Sequence, residues 1–299
     1  MAVEAGHIPV MPVEVETLLS IRPGTVHVDG TLGLGGHALL AAQALGSTGR
    51  LIGIDQDAQA IVRARERLAQ VSCRLDIVQA NFCQMTQVLD GLGVARVDTV
   101  LFDLGVSSLQ LDDGERGFSF RVEAPLDMRM NQGEGLTACD LVNTMSEREL
   151  ADIIFRYGEE RFSRRIAAAI IRTRASAPLR TTTELAALIL RSLPKGYQRG
   201  ALHPATRTFQ ALRIAVNREL DSLSEGIEKA FSVLNPGGRL CVIAFHSLED
   251  RIVKEMFRLL ARTNQGRLVT KKPLMPGRQE AVENSRARSA RVRCLERVV

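Results

Sequence analysis

The stretch Val26-His27-Val28-Asp29-Gly30-Thr31-Leu32-Gly33-Leu34-Gly35-Gly36-His37 constrains the fold more than any other part of this 299-residue chain. Its apolar run alternates with polar residues and closes on an acid, which predicts a strand. Four glycines in the next seven positions predict a bend that bare backbone follows most easily, and Ala38 to Ala44 begins a helix. A strand, a glycine loop and a helix in that order turn backbone N–H groups toward a nucleotide-like ligand.

The same pattern recurs downstream. Gly49 to Asp55 predicts a second buried strand ending in an acid, about 20 residues beyond the loop, where a ribose hydroxyl pair is commonly received. Asp57 is suited to cap a helix from Ala58 to Leu68, Arg74 to Gln79 predicts a third strand with Asn81-Phe82 just past its end, and Val97 to Asp103 a fourth. Three of these four strands finish on a carboxylate, Asp29, Asp55 and Asp103, at the edge where open α/β sheets bind ligands. The spacing predicts a doubly wound parallel sheet.

The next convincing strand, Gly238 to Phe245, comes more than a hundred residues later, although a parallel crossover needs only about a dozen. Apolar residues at helical spacing over Ser146 to Tyr157, Phe162 to Arg174 and Thr182 to Leu193 fill the gap, and Ser146…Glu149 and Thr181…Glu184 have the form of capping boxes. The expected organisation is a helical insertion over 112–205 between two core segments, 1–111 and 206–299, with Thr208 to Leu234 as the helical return to the sheet. A helix from Leu248 to Leu260, a basic stretch and a last strand from Val292 to Val299 complete the expectation.

Two cofactors suit the glycine loop. Gly33-Leu34-Gly35-Gly36-His37-Ala38 matches the GxGxxA pattern of dinucleotide sites, and Asp29-x-Thr31-x-Gly33-x-Gly35 approximates the acid-x-Gly-x-Gly-x-Gly loop of S-adenosylmethionine sites with one glycine replaced. The later strand ends favour the second. S-adenosylmethionine needs an acid for the ribose, a polar and apolar pair for the adenine and an acceptor near the transferred methyl, and Asp55, Asn81-Phe82 and Asp103 stand in that order. Each also has a structural explanation alone, the acids as helix caps and Phe82 as core filler. Their ordered recurrence at successive strand ends is what argues for a cofactor edge.

Composition excludes several classes. No apolar run approaches the roughly 18 residues of a membrane helix, and the N-terminus has no secretory pattern, so a cytoplasmic protein is expected. The five cysteines are scattered without a CxxC pair, which predicts neither a disulfide framework nor a metal site. Charge is uneven: from Arg258 onward eleven Lys/Arg face three Glu, a net of +8 against +5 for the whole chain. Such a tail is either a solvated face or a phosphate-contacting surface.

Longer strings carry a resemblance. They are His7-Ile8-Pro9-Val10, the glycine stretch from Asp29 to His37, Asp103-Leu104-Gly105-Val106-Ser107-Ser108-Leu109-Gln110-Leu111-Asp112, Arg116-Gly117-Phe118-Ser119-Phe120, Pro125-Leu126-Asp127-Met128-Arg129-Met130, Tyr157-Gly158-Glu159-Glu160-Arg161-Phe162, His203-Pro204-Ala205-Thr206-Arg207 and Phe245-His246-Ser247-Leu248-Glu249-Asp250-Arg251. With these the chain resembles the bacterial RsmH or MraW family, which methylates the exocyclic N4 of a cytosine in small-subunit ribosomal RNA. The resemblance implies an α/β, class I (Rossmann-like) S-adenosylmethionine-dependent methyltransferase sheet with an inserted helical domain. It also implies cofactor contacts at Gly35, Gly36, His37, Asp55, Phe82, Asp103 and Gln110. The expected partner is small-subunit ribosomal RNA in the assembled or nearly assembled subunit, with no membrane and with a homodimer left open. Asn131 stands where the family often has an acid.

For such a reaction Asp103 is the expected catalytic acceptor of an N4 proton, because the amine lone pair is delocalised into the ring and must be localised to attack. The alternative cytosine chemistry, at C5, needs a nucleophilic cysteine, and Cys83 alone lies near a strand end. Asp127 and Arg129, together with His246, Glu249, Asp250 and Arg251, are either structural ion pairs or contacts to the cytosine or its RNA.

Overall fold

Strands that must be covered on both faces read as continuous apolar runs, and residues 100–102 and 240–244 do so because helices pack on each side of them. The computed structural model describes residues 9–194, 197 and 203–299; His7 and Ile8 of the expected N-terminal arm lie outside the described residues. The chain divides into two compact units, one made of residues up to Gly105 with Leu220–Val299, the other of Val106–Glu219.

The first unit is built on seven strands: β1 (Val26–Asp29), β2 (Arg50–Asp55), β3 (Arg74–Gln79), β4 (Val97–Asp103), β5 (Leu234–Ala244), β6 (Gly266–Leu268) and β7 (Arg291–Arg297). Their order is β3-β2-β1-β4-β5-β7-β6. The first five run parallel, while β7 is antiparallel to both β5 and β6. Strand order reverses between β1 and β4, so the loops after them leave in opposite directions and open a crevice at their carboxyl ends. One face of the sheet buries Val28, Ile54, Phe102 and Val242 under helix Glu219–Val233. The other buries Leu101, Cys241 and Ile243 under helix Pro12–Leu19, and Leu51 against the helices Gly36–Leu45 and Ala58–Arg67. His27 is sealed within this sheet with Nδ1 2.8 Å from Thr99 Oγ1, and burial, reinforced by the nearby His37, lowers its pKa to about 3, which keeps it neutral.

The second unit is helical: Ser108–Asp112, Ala138–Thr144, Glu147–Gly158, Ser163–Arg174, Thr182–Ser192 and Thr206–Asn217 among the described residues. Both expected capping boxes form, Ser146 with Glu149 and Thr181 with Glu184. This unit extends beyond the expected 112–205 at both ends. Its last helix was expected to belong to the return to the sheet, but it joins this unit because Phe209 and Leu212 enter the unit's core. At Gly158 a Cβ would stand 2.5 Å from the Arg207 carbonyl oxygen, so glycine is what lets the two backbones approach. Arg218, in the left-handed region at φ 49°, ends that helix, and Glu219–Val233 alone returns to β5.

Candidate active site

The loop after β1 is held by the ends of β2 and β4. Gly30 has no space for a side chain, since a Cβ would lie 2.4 Å from Phe102 Cε1. Gly33 and Gly35 take φ of +50° and +75°. The Gly33 N–H donates to Asp55 Oδ2 at 2.7 Å, and the Asp57 N–H donates to Asp55 Oδ1 at 2.9 Å. The Asp103 N–H donates to Thr31 Oγ1 at 2.6 Å, which ties β4's last residue to the loop. Helix Gly36–Leu45 then starts with the Leu39 N–H on the Gly35 carbonyl.

This geometry separates the two cofactor readings. A dinucleotide pyrophosphate needs free N–H groups on the loop, and here the Gly33 N–H is already given to a carboxylate. Three acids also gather at the edge. Burial raises the pKa of Asp103 to about 8, with the Asp29 and Glu249 charges adding and Arg286 opposing. Burial raises Asp29 to about 7 against the hydrogen bond from the Thr31 N–H, and Asp55 to about 6 against those from Asp57 and Gly33. Asp103 Oδ1 is buried and accepts no hydrogen bond among the described residues. His37, at the helix start, sets Nε2 3.8 Å from Asp103 Oδ2. Mutually repelling buried carboxyls around an unsatisfied acceptor fit a cationic ligand and oppose an anionic one. A sulfonium with an ammonium group suits them; a pyrophosphate does not.

Phe82 follows β3 in a short helical turn, Phe82–Gln84, capped by Asn81 through a box with Gln84. Its ring lies 4.7 Å from that of Phe102, and Gly226 leaves room for it, since a Cβ there would meet Phe82 Cδ2 at 2.4 Å. The ring therefore packs on the core while remaining half-buried. Asn81 Nδ2 donates to Gln56 Oε1 at 3.2 Å, joining the ends of β2 and β3.

The structure brings Gly35, Gly36, His37, Asp55, Phe82 and Asp103 into the first unit around this edge. Gln110 belongs to the second unit, where its side-chain oxygen accepts the Ser107 N–H at 3.0 Å in a capping box. Asp127 and Arg129 also lie there and face each other in a two-point ion pair, both N···O distances 2.8 Å. Burial works to raise the Asp127 pKa, but its bonds to Arg129 outweigh that and hold it low. Asn131 accepts the Gly133 N–H and so shapes a turn.

His246, Glu249 and Asp250 open helix Ser247–Arg262 just past β5. His246 caps it by accepting the Glu249 N–H, and Glu249 Oε2 accepts the Phe245 N–H at 2.8 Å. Asp250 pairs with Arg293 at 2.7 Å and Arg291 at 3.4 Å; these partners hold its pKa low although burial alone would raise it. Arg251 is exposed. Thr31 and Arg286 were not anticipated. Thr31 sits inside the quoted glycine motif, where a hydroxyl in place of a glycine was the available signal, whereas nothing local in the sequence joins Arg286 to Asp103.

A seven-stranded sheet in this order, with acids closing β1, β2 and β4 around a glycine loop, defines a class I methyltransferase. The model of the MraW methylase family matches residues 4–298, and the chain belongs to that family. It is 52% identical over 308 residues to a Geobacter sulfurreducens protein named ribosomal RNA small subunit methyltransferase H, covering 98% of this chain and 99% of that one. A Brevibacillus brevis protein of the same name is 48% identical, with 98% of each chain covered. A solved rRNA methylase from Streptococcus thermophilus has a TM-score of 0.48 at 11% identity, covering 99% of this chain and 100% of that one.

Proposed function

We propose that the chain methylates the exocyclic N4 of a cytosine in small-subunit ribosomal RNA, using S-adenosylmethionine. The observation that carries the cofactor is the trio Asp29, Asp55 and Asp103 with its unsatisfied Asp103 oxygen; the family and the shared name of its relatives supply the substrate. Bound S-adenosylmethionine supplies a methyl group on a positively charged sulfur, open to in-line attack by an amine. Asp55 fixes the glycine loop and keeps lone pairs for ribose hydroxyls, Gly35 and Gly36 bring bare backbone close, and the Phe82 ring offers an apolar face to an adenine. Gln110 completes the cofactor contacts in this reading.

Asp103 is the catalytic acceptor. Its carboxylate would accept a hydrogen bond from an N4 proton, which localises the lone pair for attack, and would take that proton as the C–N bond forms and the methyl C–S bond breaks, the sulfur leaving as a neutral thioether. His37, 3.8 Å away, orients it. At the end of β5, His246, Glu249, Asp250 and Arg251 form the rim that receives the base, and Asp127 and Arg129 shape the recognition surface of the second unit. The reaction takes place in the cytoplasm on the assembled or nearly assembled small subunit. No helix among the described residues is long and apolar enough to cross a membrane.

The test is to incubate the protein with methyl-labelled S-adenosylmethionine and unmodified small subunits, then identify the labelled nucleoside by mass spectrometry with fragmentation. 4-Methylcytidine is expected. Label in 5-methylcytidine, or none in RNA, would overturn the assignment.

A further inference from the structure

The basic C-terminal stretch is divided by the fold into two faces. Helix Ser247–Arg262 starts at the carboxyl edge of the sheet and carries Arg258 and Arg262 away to the opposite edge. From there the chain returns beside β7: Gly266 pairs with Arg297, Leu268 with Leu295 and Leu274 with Val292. Because β7 starts at Arg291 in register with Ala244, the last residue of β5, residues 275–290 lie beyond the carboxyl edge. The lobe they form is anchored there. Glu280 accepts the Met11 N–H at 2.6 Å, and Ala287 and Ala290 are buried with Val10 and Met11.

Most cations on the sheet side of the stretch are already engaged: Arg267 with Glu296, Arg291 and Arg293 with Asp250, and Arg297 with the carbonyls that end helix Glu219–Val233. Lys271, Lys272, Arg278 and Arg288 are different: all four are exposed and none has a carboxylate partner among the described residues, although Arg288 gives its Nε–H to the Ala281 carbonyl at 2.9 Å and keeps its other guanidinium N–H groups toward solvent. Arg286, in the same lobe, acts electrostatically on Asp103, so the lobe borders the reacting edge. Of its two acids, Glu280 is bound to Met11 and Glu283 to Gln279.

We infer that the segment 271–291 is the RNA-backbone platform of this site, with Lys271, Lys272, Arg278 and Arg288 contacting phosphates of the strand that presents the target base. This rests on the ribosomal RNA reading above and assigns its docking face. With Tyr157 and Tyr197 the only tyrosines and no tryptophan in the chain, binding is dominated by phosphate contacts and RNA shape rather than by stacking on large aromatic rings.

The test measures binding of unmodified small subunits across a salt series for wild type, for K271Q/K272Q/R278Q/R288Q, and for R258Q/R262Q as a control from the same stretch on the opposite edge. Each lost phosphate contact reduces the slope of log affinity against log salt by about 0.7 to 0.9. The fourfold variant is expected to lose roughly 3 units of slope by that rule, with S-adenosylmethionine affinity unchanged and the control matching wild type. Wild-type binding with an unchanged slope in the fourfold variant, or an equal loss in the control, would overturn the platform alone. Failure of wild type to bind the subunits would instead overturn the substrate reading and the platform with it.

Discussion

Replacing Asp103 by Asn isolates the electrostatic strain at the reacting edge. In the folded chain the Asp103 carboxyl has a pKa of about 8, against 3.8 when free. The folded state therefore holds its proton more tightly than the unfolded chain, so the stability linked to this group is complete below pH 4 and is lost as pH rises through about 8. At 1.36 kcal/mol per unit the full shift would be roughly 5 to 6 kcal/mol. The side chain keeps 19% of its surface exposed, and solvent screening reduces the expectation to about 2 to 4 kcal/mol. Asn has nearly the same shape and cannot ionise. Without cofactor, the variant is expected to exceed wild type at pH 5 by only about a third of that amount and at pH 8.5 by nearly all of it in urea unfolding. His27, held neutral by burial, costs stability as pH falls below 6.5 in both proteins and cancels in the difference. With cofactor the order reverses: S-adenosylmethionine affinity of wild type rises with pH more steeply than that of the variant, which keeps only Asp29 and Asp55 to ionise, and turnover of the variant falls. Equal destabilisation of the variant at both pH values would refute the idea that this carboxylate is strained until a cation arrives.

Gly30→Ala pushes a methyl into the fully buried Phe102 ring, and overpacking of this kind costs about 1 to 3 kcal/mol in denaturant unfolding; full wild-type stability would mean that the ring moves freely. Asp250→Ala leaves the buried Arg293 without its carboxylate, a loss of about 3 to 5 kcal/mol by the same measurement. Cys83→Ser should keep its rate in a methyl-transfer assay. Loss of turnover at unchanged cofactor affinity would instead point to covalent attack at C5.

The parts of this site that could be read from the chain are those where local pattern and tertiary role coincide. Asp29, Asp55 and Asp103 stood out because each closes an apolar run, and a strand's last residue necessarily lies at the sheet's edge. The boxes at Ser146 and Thr181 were legible because hydroxyl and Glu sit three apart. The box at Thr137 uses Asp140 instead of Glu or Gln, and the one after β5 uses the His246 ring as acceptor, so neither matched the usual signature. The Asp127–Arg129 pair spans only two positions; it closes around Met128, whose φ of 64° folds the chain back, a turn that no residue type there announces. The influence of Arg286 on Asp103 depends on how β7 returns antiparallel beside β5, which is tertiary information. The glycine loop by itself left two cofactors open. The acids at the later strand ends favour one of them, and the bond from Gly33 to Asp55, visible only once β1 and β2 are side by side, adds the reason in the loop itself.

That separation is tested most directly by titration calorimetry of the protein with S-adenosylmethionine and with NAD at several pH values. S-Adenosylmethionine should bind, and more tightly as pH rises from 6 to 8 and the three carboxyls, at about 6, 7 and 8, ionise. NAD, whose pyrophosphate meets those same charges, should bind weakly or not at all. Comparable affinity for the two, or S-adenosylmethionine binding that weakens over that range, would contradict a site built for a cationic methyl donor.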